Sequence, residues 1–493
     1  MNELRSRGLY TGAAVRELER RACSTGDLIT YTLMERAGAA AFAELRRVWP
    51  EARRIAVVTG KGNNGGDGYV LARLAKAAGL DVGVLQVGQP GGADAAQALG
   101  TLHKQGLALK TFAAAYLEVA DVVVDAVLGT GLHGAPEEPF ASAIAAINAC
   151  GKPVLALDIP SGLNADTGAL AGQAIRADHT VCFVAWKRGL FTGAGPEQTG
   201  TVVLAGLELP DSVFGEWPPG AELILPHPLP ARARHAHKGD FGHVLALGGE
   251  RGMAGAIRMA GEAALRVGAG LVSVGTRAEH APLISLARPE LMARAVEGTD
   301  DPVLAELLGR ASVLVLGPGL GRSAWSRFLF ESALSSGKPM VLDADGLNLL
   351  AETGGECEHW VLTPHPGEAA RLLEVSTRDI QSDRFAAARA LAERYGGSVV
   401  LKGAGTVVAG REGVFGVCAA GNPGMASGGM GDVLAGVIGG LLAQGLTPAA
   451  AARLGVALHA EAGDRAAAEG GERGLVATDL LPWLRRLVNG VRP

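Results

Sequence analysis

Short apolar runs that alternate with amphipathic stretches restrict this chain more than any other feature. "RIAVVTG" (54–60), "DVGVLQV" (81–87), "DVVVDAV" (121–127) and "KPVLALD" (152–158) are rich in Val, Ile and Leu and bounded by Gly or Asp. Helical patterns lie between them, near 69–78, 93–105 and 137–149, and a helical stretch over 13–48 precedes them, with Val15, Leu18, Ala22, Leu33, Ala37 and Ala41 at helical spacing. Strands apolar on both faces and separated by helices predict a mostly parallel sheet covered on each side. "EWPPGAELILPHPLP" (216–230) cannot sustain a helix and reads as part of a linker. The alternation then restarts with "HVLALGG", "GLVSVGT", "ASVLVLG", "KPMVLDADG", "HWVLTPH" and "GSVVLKG", and helices are expected at 254–267, 383–395, 429–443 and 448–466. The expected architecture is therefore α/β: a three-layer αβα domain over 1–215, a linker over 216–237 and a second three-layer αβα domain over 238–493.

Composition narrows the function classes. A chain of 493 residues is too long for one ordinary core. Glycine, at 72 residues, is about twice its usual share, which fits many tight βα turns. A formal charge of −5 supplies no basic field for nucleic acid, and 4% aromatics leave few platforms for bases. The five cysteines form no CxxC pair, which argues against a zinc site or disulfide framework and fits a reducing compartment. With no signal-peptide pattern and no long apolar run, the expectation is a cytoplasmic protein with no membrane or nucleic-acid partner.

In an open parallel sheet, ligands sit beyond the carboxyl ends of the strands. Three such ends in the first half are "TGKGNNGGDG" (59–68), "DAVLGTG" (125–131) and "DIPSG" (158–162). Glycines there let backbone N–H groups approach phosphate, and the amides of Asn63 and Asn64 suit sugar or phosphate. Asp67 would repel phosphate, so ribose or loop contacts suit it better. The first loop is not GxGxxG, which weakens a redox dinucleotide reading. Asn64, Asp125 and Ser161 offer hard oxygens with one formal charge, which suits either K+ or a plain hydrogen-bond network.

In the second half, "SGGMGDVLAG" (427–436) places three glycines before an amphipathic helix, so N–H groups and the helix dipole make an anion hole. Asp432 stands in the first turn, either as a base for a hydroxyl attacking phosphorus or as an acid favouring the dipole. "LKGAGTVV" (401–408) is a Lys–Gly turn suited to nucleotide phosphates, "GPGLG" (317–321) brings backbone close to a ligand, and "DADGLN" (343–348) ends a strand in two acids. "TPHPGE" (363–368) holds His365 between prolines. No GxxxxGK[ST] is present, so this is not a P-loop protein.

"GKGNNGGDGYV", "DAVLGTG" and "DIPSG", after a helical segment containing "LMERAG", closely resemble the NAD(P)H-hydrate epimerase (YjeF N-terminal) family, whose fold is Rossmann-like. The resemblance implies substrate contacts at Asn63, Asn64, Gly65, Gly66 and Asp67 and at Gly129, Thr130, Gly131, Leu132, His133, Gly134 and Ala135. It further implies K+ held by Asn64, Asp125 and Ser161, and a substrate-binding, acid/base role for Asp158. The GxGD-like loop resembles ribokinase-type kinases. With "TPHPGE", "HKGDFGHVLALGG" and "GMAGA" the likeness sharpens to the ADP/ATP-dependent NAD(P)H-hydrate dehydratase family, over roughly 230–493. That implies hydrate contacts at Ala256, Gly319, His365 and Asp432, with Asp432 catalytic. It also implies nucleotide phosphates on Lys402, Gly403, Ala404, Gly405, Thr406 and Gly431. Met430 departs from the commoner kinase signature, but its side chain can point away. Together the resemblances imply a bifunctional repair enzyme for hydrated NADH and NADPH, with ADP and Mg2+ at the second site and a homo-oligomeric assembly. A vitamin or sugar kinase, or a nucleotide-sensing first half, are the competing expectations.

Overall fold

The computed structural model describes residues 6–24, 28–132, 134–298 and 301–491. The chain divides into two compact units, Met1–Glu222 and Leu223–Pro493. The stretch expected as a linker contains a short strand, Ala221–Leu223, whose first residues pair with Gly8 and Leu9.

The first unit is built on seven parallel strands: β1 (Arg54–Thr59), β2 (Asp81–Gln86), β3 (Leu109–Thr111), β4 (Val122–Ala126), β5 (Val154–Leu157), β6 (His179–Phe183) and β7 (Thr201–Ala205). Their spatial order is β3-β2-β1-β4-β5-β6-β7, so the direction of winding reverses between β1 and β4. A crevice opens beyond the strand ends at such a reversal. Alternate residues of β1 enter separate cores: Ile55 and Val57 face one side, Ala56 and Val58 the other. That double burial is why the strand reads as a continuous apolar run. The stretch 13–48 is two helices, α1 (Gly12–Ser24) and α2 (Thr30–Val48), with 25–27 outside the described residues.

The glycine-rich segment differs from expectation. It is mostly helix, because α3 runs from Asn63 to Ala77 and only Gly60–Gly62 forms the turn. The chain's own atoms account for most of its bareness. A Cβ on Gly60 would lie 1.8 Å from the Val127 carbonyl oxygen, and one on Gly65 would lie 2.4 Å from the Gly60 oxygen. On Gly66 it would meet Met34 Cε at 2.5 Å, and on Gly68 Ala126 Cβ at 2.7 Å. Gly62 alone of the five faces open space. Glycine is required so that α3 can settle onto β4 and α2.

The second unit carries nine strands: β8 (His243–Leu247), β9 (Leu271–Thr276), β10 (Met292–Ala295), β11 (Val313–Leu316), β12 (Met340–Leu342), β13 (Trp360–Leu362), β14 (Ser398–Leu401), β15 (Thr406–Ala409) and β16 (Phe415–Cys418). Their order is β10-β9-β8-β11-β12-β13-β14-β15-β16, parallel as far as β14 and antiparallel beyond it. One face buries Val244, Val274 and Val315 beneath helices α6 (Ala254–Arg266) and α10 (Met430–Ala443). Between these in sequence lie α7 (Asp345–Thr353), α8 (Pro366–Leu373) and α9 (Arg384–Tyr395), and α11 (Pro448–Gly470) follows α10.

Helices α6 and α10 touch through glycine. A Cβ on Gly436 would fall 2.0 Å from the Ala260 oxygen, and one on Gly440 2.6 Å from Val267 Cγ2. Gly100, on the exposed face of α4 (Ala93–Lys104), has no atom within 4 Å of the same position. Gly436→Ala should therefore destabilise the second unit by about 1–3 kcal/mol through overpacking. Gly100→Ala should stabilise the first by roughly 0.5–1 kcal/mol through helix propensity. Urea midpoints for the two variants check this, and equal shifts of one sign would refute the packing account.

Candidate active sites

Beyond the reversal between β1 and β4 lies a cavity of about 630 Å³. Asn63, Asn64, Asp67, Gly129, Thr130, Gly131, Leu132, Ala135 and Asp158 line it, as expected from sequence. Gly65 and Gly66 do not: both are buried against protein atoms. Gly134 is absent from the wall, and His133 lies outside the described residues.

Asp158 follows β5 directly and holds a positive φ of 65°, a conformation that costs a non-glycine residue about 1 kcal/mol or more. Three contacts hold it there. Its N–H donates to the Val181 oxygen (2.8 Å), Phe183 N–H donates to its Oδ1 (3.1 Å), and Lys187 Nζ pairs with the same oxygen. Sequence reasoning missed Lys187, which sits in an unremarkable "AWKRG" beyond β6. It is fully buried, and its Nζ also donates to the Phe183 carbonyl (2.7 Å). Burial works against its charge, but Asp158 and neighbouring acidic groups prevail and raise its pKa. Glu19, from α1, is the second missed residue. Burial pushes its carboxyl up to about 7, with Lys187 opposing and Asp158 reinforcing the shift. Asp67 is raised well above the usual carboxylate range by burial and by Asp158 and Glu19. A buried neutral carboxyl is a hydrogen-bond donor as well as an acceptor, so Asp67 does not repel an anion as its charged form would.

Asn64, Asp125 and Ser161 come together around the Leu128 carbonyl. Asn64 Nδ2 donates to that oxygen (3.0 Å), and Ser161 Oγ lies 3.1 Å from it. Asp125 accepts from Ser161 Oγ (2.6 Å) and Ser161 N–H (2.8 Å). Burial raises Asp125 to about 6 against these donors. Asn64 Oδ1 is buried without a hydrogen-bond partner among the described residues. An orphaned acceptor beside one carboxylate and a hydroxyl oxygen fits a monovalent cation.

The second unit gathers its own set. Asp343 ends β12 and is followed by Ala344 at φ 47°. Lys402, which follows β14, donates from Nζ to Asp343 Oδ1 (2.7 Å) and lies 3.8 Å from Glu368 Oε2. Burial opposes its charge, yet Asp343 and Glu368 raise its pKa. Arg384, buried on α9, donates to the carbonyls of Leu401 (2.9 Å) and Lys402 (3.2 Å) and so braces the Lys–Gly turn. Gly403 and Gly405 take positive φ in that turn, and Thr406 Oγ donates back to the Gly403 oxygen (3.0 Å). Asp432 occupies the first turn of α10. Burial pushes it up to about 7, reinforced by Asp343 and opposed by Lys402. The Gly431 Cα faces the pair directly, since a Cβ there would sit 3.3 Å from Lys402 Nζ and 3.4 Å from Asp343 Oδ2. Met430 points into the core.

His365 caps α8, with its Nδ1 accepting from Gly367 N–H (2.9 Å) and its backbone N–H donating to Glu368 (2.8 Å). That ties it to the Glu368–Lys402 group. Ala256 and Gly319 adjoin each other, 3.1 Å apart for a Cβ on Gly319. The GPGLG segment reaches Asp343 through Gly317, whose Cβ would lie 1.8 Å from the Asp343 oxygen. A larger cavity of about 980 Å³ lies near Arg266 and Gln444 and includes neither Asp432 nor Lys402. Gln444 caps the opposite end of α10, roughly 20 Å from Met430 at 1.5 Å per residue.

Two α/β units, each with acids and a paired lysine gathered at its strand ends, define a two-site enzyme of nucleotide-binding type. Residues 30–189 match the family described as YjeF-related protein N-terminus, and residues 244–486 match NAD(P)H-hydrate dehydratase. The chain is 52% identical to the bifunctional NAD(P)H-hydrate repair enzyme Nnr of Coxiella burnetii, over 98% of this chain and 99% of that one. It is 48% identical to the Escherichia coli enzyme of the same name, over 96% and 93%. Among solved structures, the ADP/ATP-dependent NAD(P)H-hydrate dehydratase of Bacillus subtilis, co-crystallised with ATP/Mg2+, aligns with a TM-score of 0.47 at 28% identity, covering 54% of this chain and 99% of that one. The chain belongs to the family of bifunctional NAD(P)H-hydrate repair enzymes.

Removing one partner of a buried pair leaves the other uncompensated, at a cost of about 3–5 kcal/mol. Lys187→Met should lower the stability of the first unit by that order at pH 8. The loss should shrink near pH 5, where Glu19 is protonated and less negative charge is left unpaired. Urea unfolding at the two pH values checks this, and a pH-independent loss would show that packing of the lysine stem dominates.

Proposed function

We propose that the first unit interconverts the two epimers of hydrated NADH or NADPH at the Asp158 cavity, and that the second dehydrates the S epimer at the Asp432 site. The observation that supports the second assignment best is Asp432 in the first turn of α10, next to Gly431, whose Cα faces Lys402 and Asp343. Hydroxide is a poor leaving group and phosphate a good one. Asp432 takes the proton of the hydrate's hydroxyl as its oxygen attacks the terminal phosphoryl group of the nucleotide, and the P–O bond to the departing nucleoside phosphate breaks with its electrons leaving on that oxygen. Phosphate then leaves the ring carbon with the C–O electron pair, a ring proton is lost, and the nicotinamide double bond is restored. A carboxyl at about 7 is poised to accept that proton near neutral pH. Backbone N–H groups at the α10 N-terminus face the charge that develops on oxygen.

Hydrate contacts are assigned to Ala256, Gly319 and His365, and nucleotide phosphates to Lys402, Gly403, Ala404, Gly405, Thr406 and Gly431. ADP is the proposed donor, with Mg2+ arriving on the nucleotide and neutralising its phosphate oxygens when bound. In the first unit, Asp158 holds or moves a proton, while Asn63, Asn64, Asp67 and the 129–135 loop position the dinucleotide. The compartment is proposed to be cytoplasmic, in keeping with five free cysteines, and the assembly a homo-oligomer. No helix among the described residues is long and apolar enough to cross a membrane.

With mixed epimers and ADP, the unaltered enzyme should restore nicotinamide absorbance in one phase. Asp432→Asn should slow recovery by roughly 10²–10⁴-fold. Asp158→Asn should convert about half of a racemic mixture quickly and the rest at the spontaneous rate, since only the S epimer feeds dehydration. Monophasic recovery in Asp158→Asn would remove epimerisation from this cavity.

K+ is the proposed occupant of Asn64, Asp125 and Ser161, where it would supply positive charge to a buried carboxylate. Without a cation, a folded pKa of about 6 for Asp125 means stability is present below the unfolded value near 3.8 and is lost as pH rises through 6. The loss is about 3 kcal/mol at most, because each pH unit separating the two values is worth roughly 1.4 kcal/mol. Thermal melts in choline chloride should therefore decline between about pH 4 and 7, and KCl should restore the neutral-pH value. Identical melts in the two salts would favour the plain hydrogen-bond network.

A further inference from the structure

Helix α1 lies outside the segment that matches the epimerase-type family, which begins at residue 30. Its exposed charges are engaged with one another: Arg20 and Arg21 both donate to Glu17, at 2.7–2.8 Å. Val15, Leu18 and Ala22 anchor its buried face. Glu19 belongs to neither group. Glu19 lines the Asp158 cavity, and its carboxyl makes no hydrogen bond or ion pair among the described residues.

Charge counting shows what such a group does there. The groups that bear on it are Arg16 and Cys23 on its own helix, Asp67 on α3, Asp94 at the start of α4, Asp158 after β5 and Lys187 beyond β6. At the cavity wall, three carboxyls (Glu19, Asp67, Asp158) share the ammonium of Lys187. Ionising all three would leave two uncompensated negative charges in low dielectric, so the cluster retains protons. Asp158 is committed to Lys187, and Asp67, itself a residue of α3, is buried. Glu19 alone of the three lacks both a partner and a tight enclosure.

We propose that Glu19 is the acid that delivers, and then recovers, the proton that epimerisation requires. The inference rests on epimerisation taking place in the Asp158 cavity. The hydroxyl-bearing carbon is bonded to the ring nitrogen, whose lone pair can expel the oxygen only as water. The Glu19 carboxyl protonates the hydroxyl, and the C–O bond breaks with its electron pair leaving on water. The nitrogen lone pair closes to a carbon–nitrogen double bond. Water then adds to the opposite face, its oxygen supplying the new bond. The carbon–nitrogen pair returns to nitrogen, and the surplus proton returns to the Glu19 carboxylate. Nothing is oxidised or reduced, and the carboxyl ends as it began. Its pKa, held near 7, suits both halves of this exchange.

The test uses the full-length enzyme, pure R hydrate and excess ADP, so that NADH appearance reads epimerisation; dehydration of pure S hydrate is the internal check. Glu19→Gln should reduce kcat on R hydrate by roughly 10²-fold or more while KM changes little and S hydrate turns over normally. The unaltered enzyme should lose kcat on R hydrate as pH rises past about 7, because the protonated acid disappears, and the Gln variant should show no such limb. Glu19→Asp should keep a basic limb at a shifted pH and recover part of kcat, which covers the case of a Gln variant whose first unit melts early. Retained kcat, a raised KM with kcat intact, or a basic limb that survives in Gln would each overturn the assignment of Glu19. If Asp158→Asn also epimerises normally, the cavity itself is misassigned; if it is inactive while Glu19→Gln is active, only the role of Glu19 falls.

Discussion

Both sites are arranged around a lysine–carboxylate pair at a strand end in which one partner is fully buried: Lys187 with Asp158, and Asp343 with Lys402. In each unit the acid comes from a central strand, and the lysine arrives from further along the chain. Burying either charge alone would cost several kcal/mol, so each residue is tolerable only because the other is present. The pairs also set the chemistry of their neighbours. Around Lys187, burial first and the neighbouring carboxylates second keep Glu19 and Asp67 raised. Around Lys402, burial reinforced by Asp343 raises Asp432 to about 7. The two sites thus share one arrangement, a lysine–carboxylate pair beside carboxyls held above their usual range.

Backbone strain marks the same places. Asp158 and Ala344 are non-glycine residues at positive φ, each within one position of the paired acid or identical to it. Such conformations persist only where surrounding contacts over-determine them. Asp158 is fixed through its N–H, through Phe183 and through Lys187. The Lys402 turn is likewise held by Arg384 on two carbonyls. A carboxylate whose orientation is set before substrate arrives loses little on reorganisation, which is where electrostatic stabilisation gains its strength.

The fold was largely legible because its cause is local. A strand buried on both faces must be apolar throughout, and "RIAVVT" and "HVLAL" announce themselves for that reason. Short or mixed strands such as Leu109–Thr111 and Met292–Ala295 were not legible, since only their neighbours make them strands. The glycine-rich motif does line the crevice between β1 and β4, but its bareness has another main cause. Ligand approach was the expected cause of its bareness, whereas Gly60, Gly65, Gly66 and Gly68 are bare because Val127, the Gly60 carbonyl, Met34 and Ala126 occupy the space.

Sequence alone determined which residues stand at strand ends, because a strand end follows from a run of neighbours. Asp125, Asp158, Ser161, Asp343 and Lys402 were identifiable in that way, whereas Asn64 and Asp432 stand in the first turns of helices behind glycine-rich turns. Only the tertiary structure decided which charges meet. Lys187 and Glu19 carry no local signature, for one follows an ordinary strand and the other sits in an ordinary amphipathic helix. Their importance arises from burial beside Asp158, and desolvation and charge proximity are properties of three-dimensional packing that no run of neighbouring residues encodes.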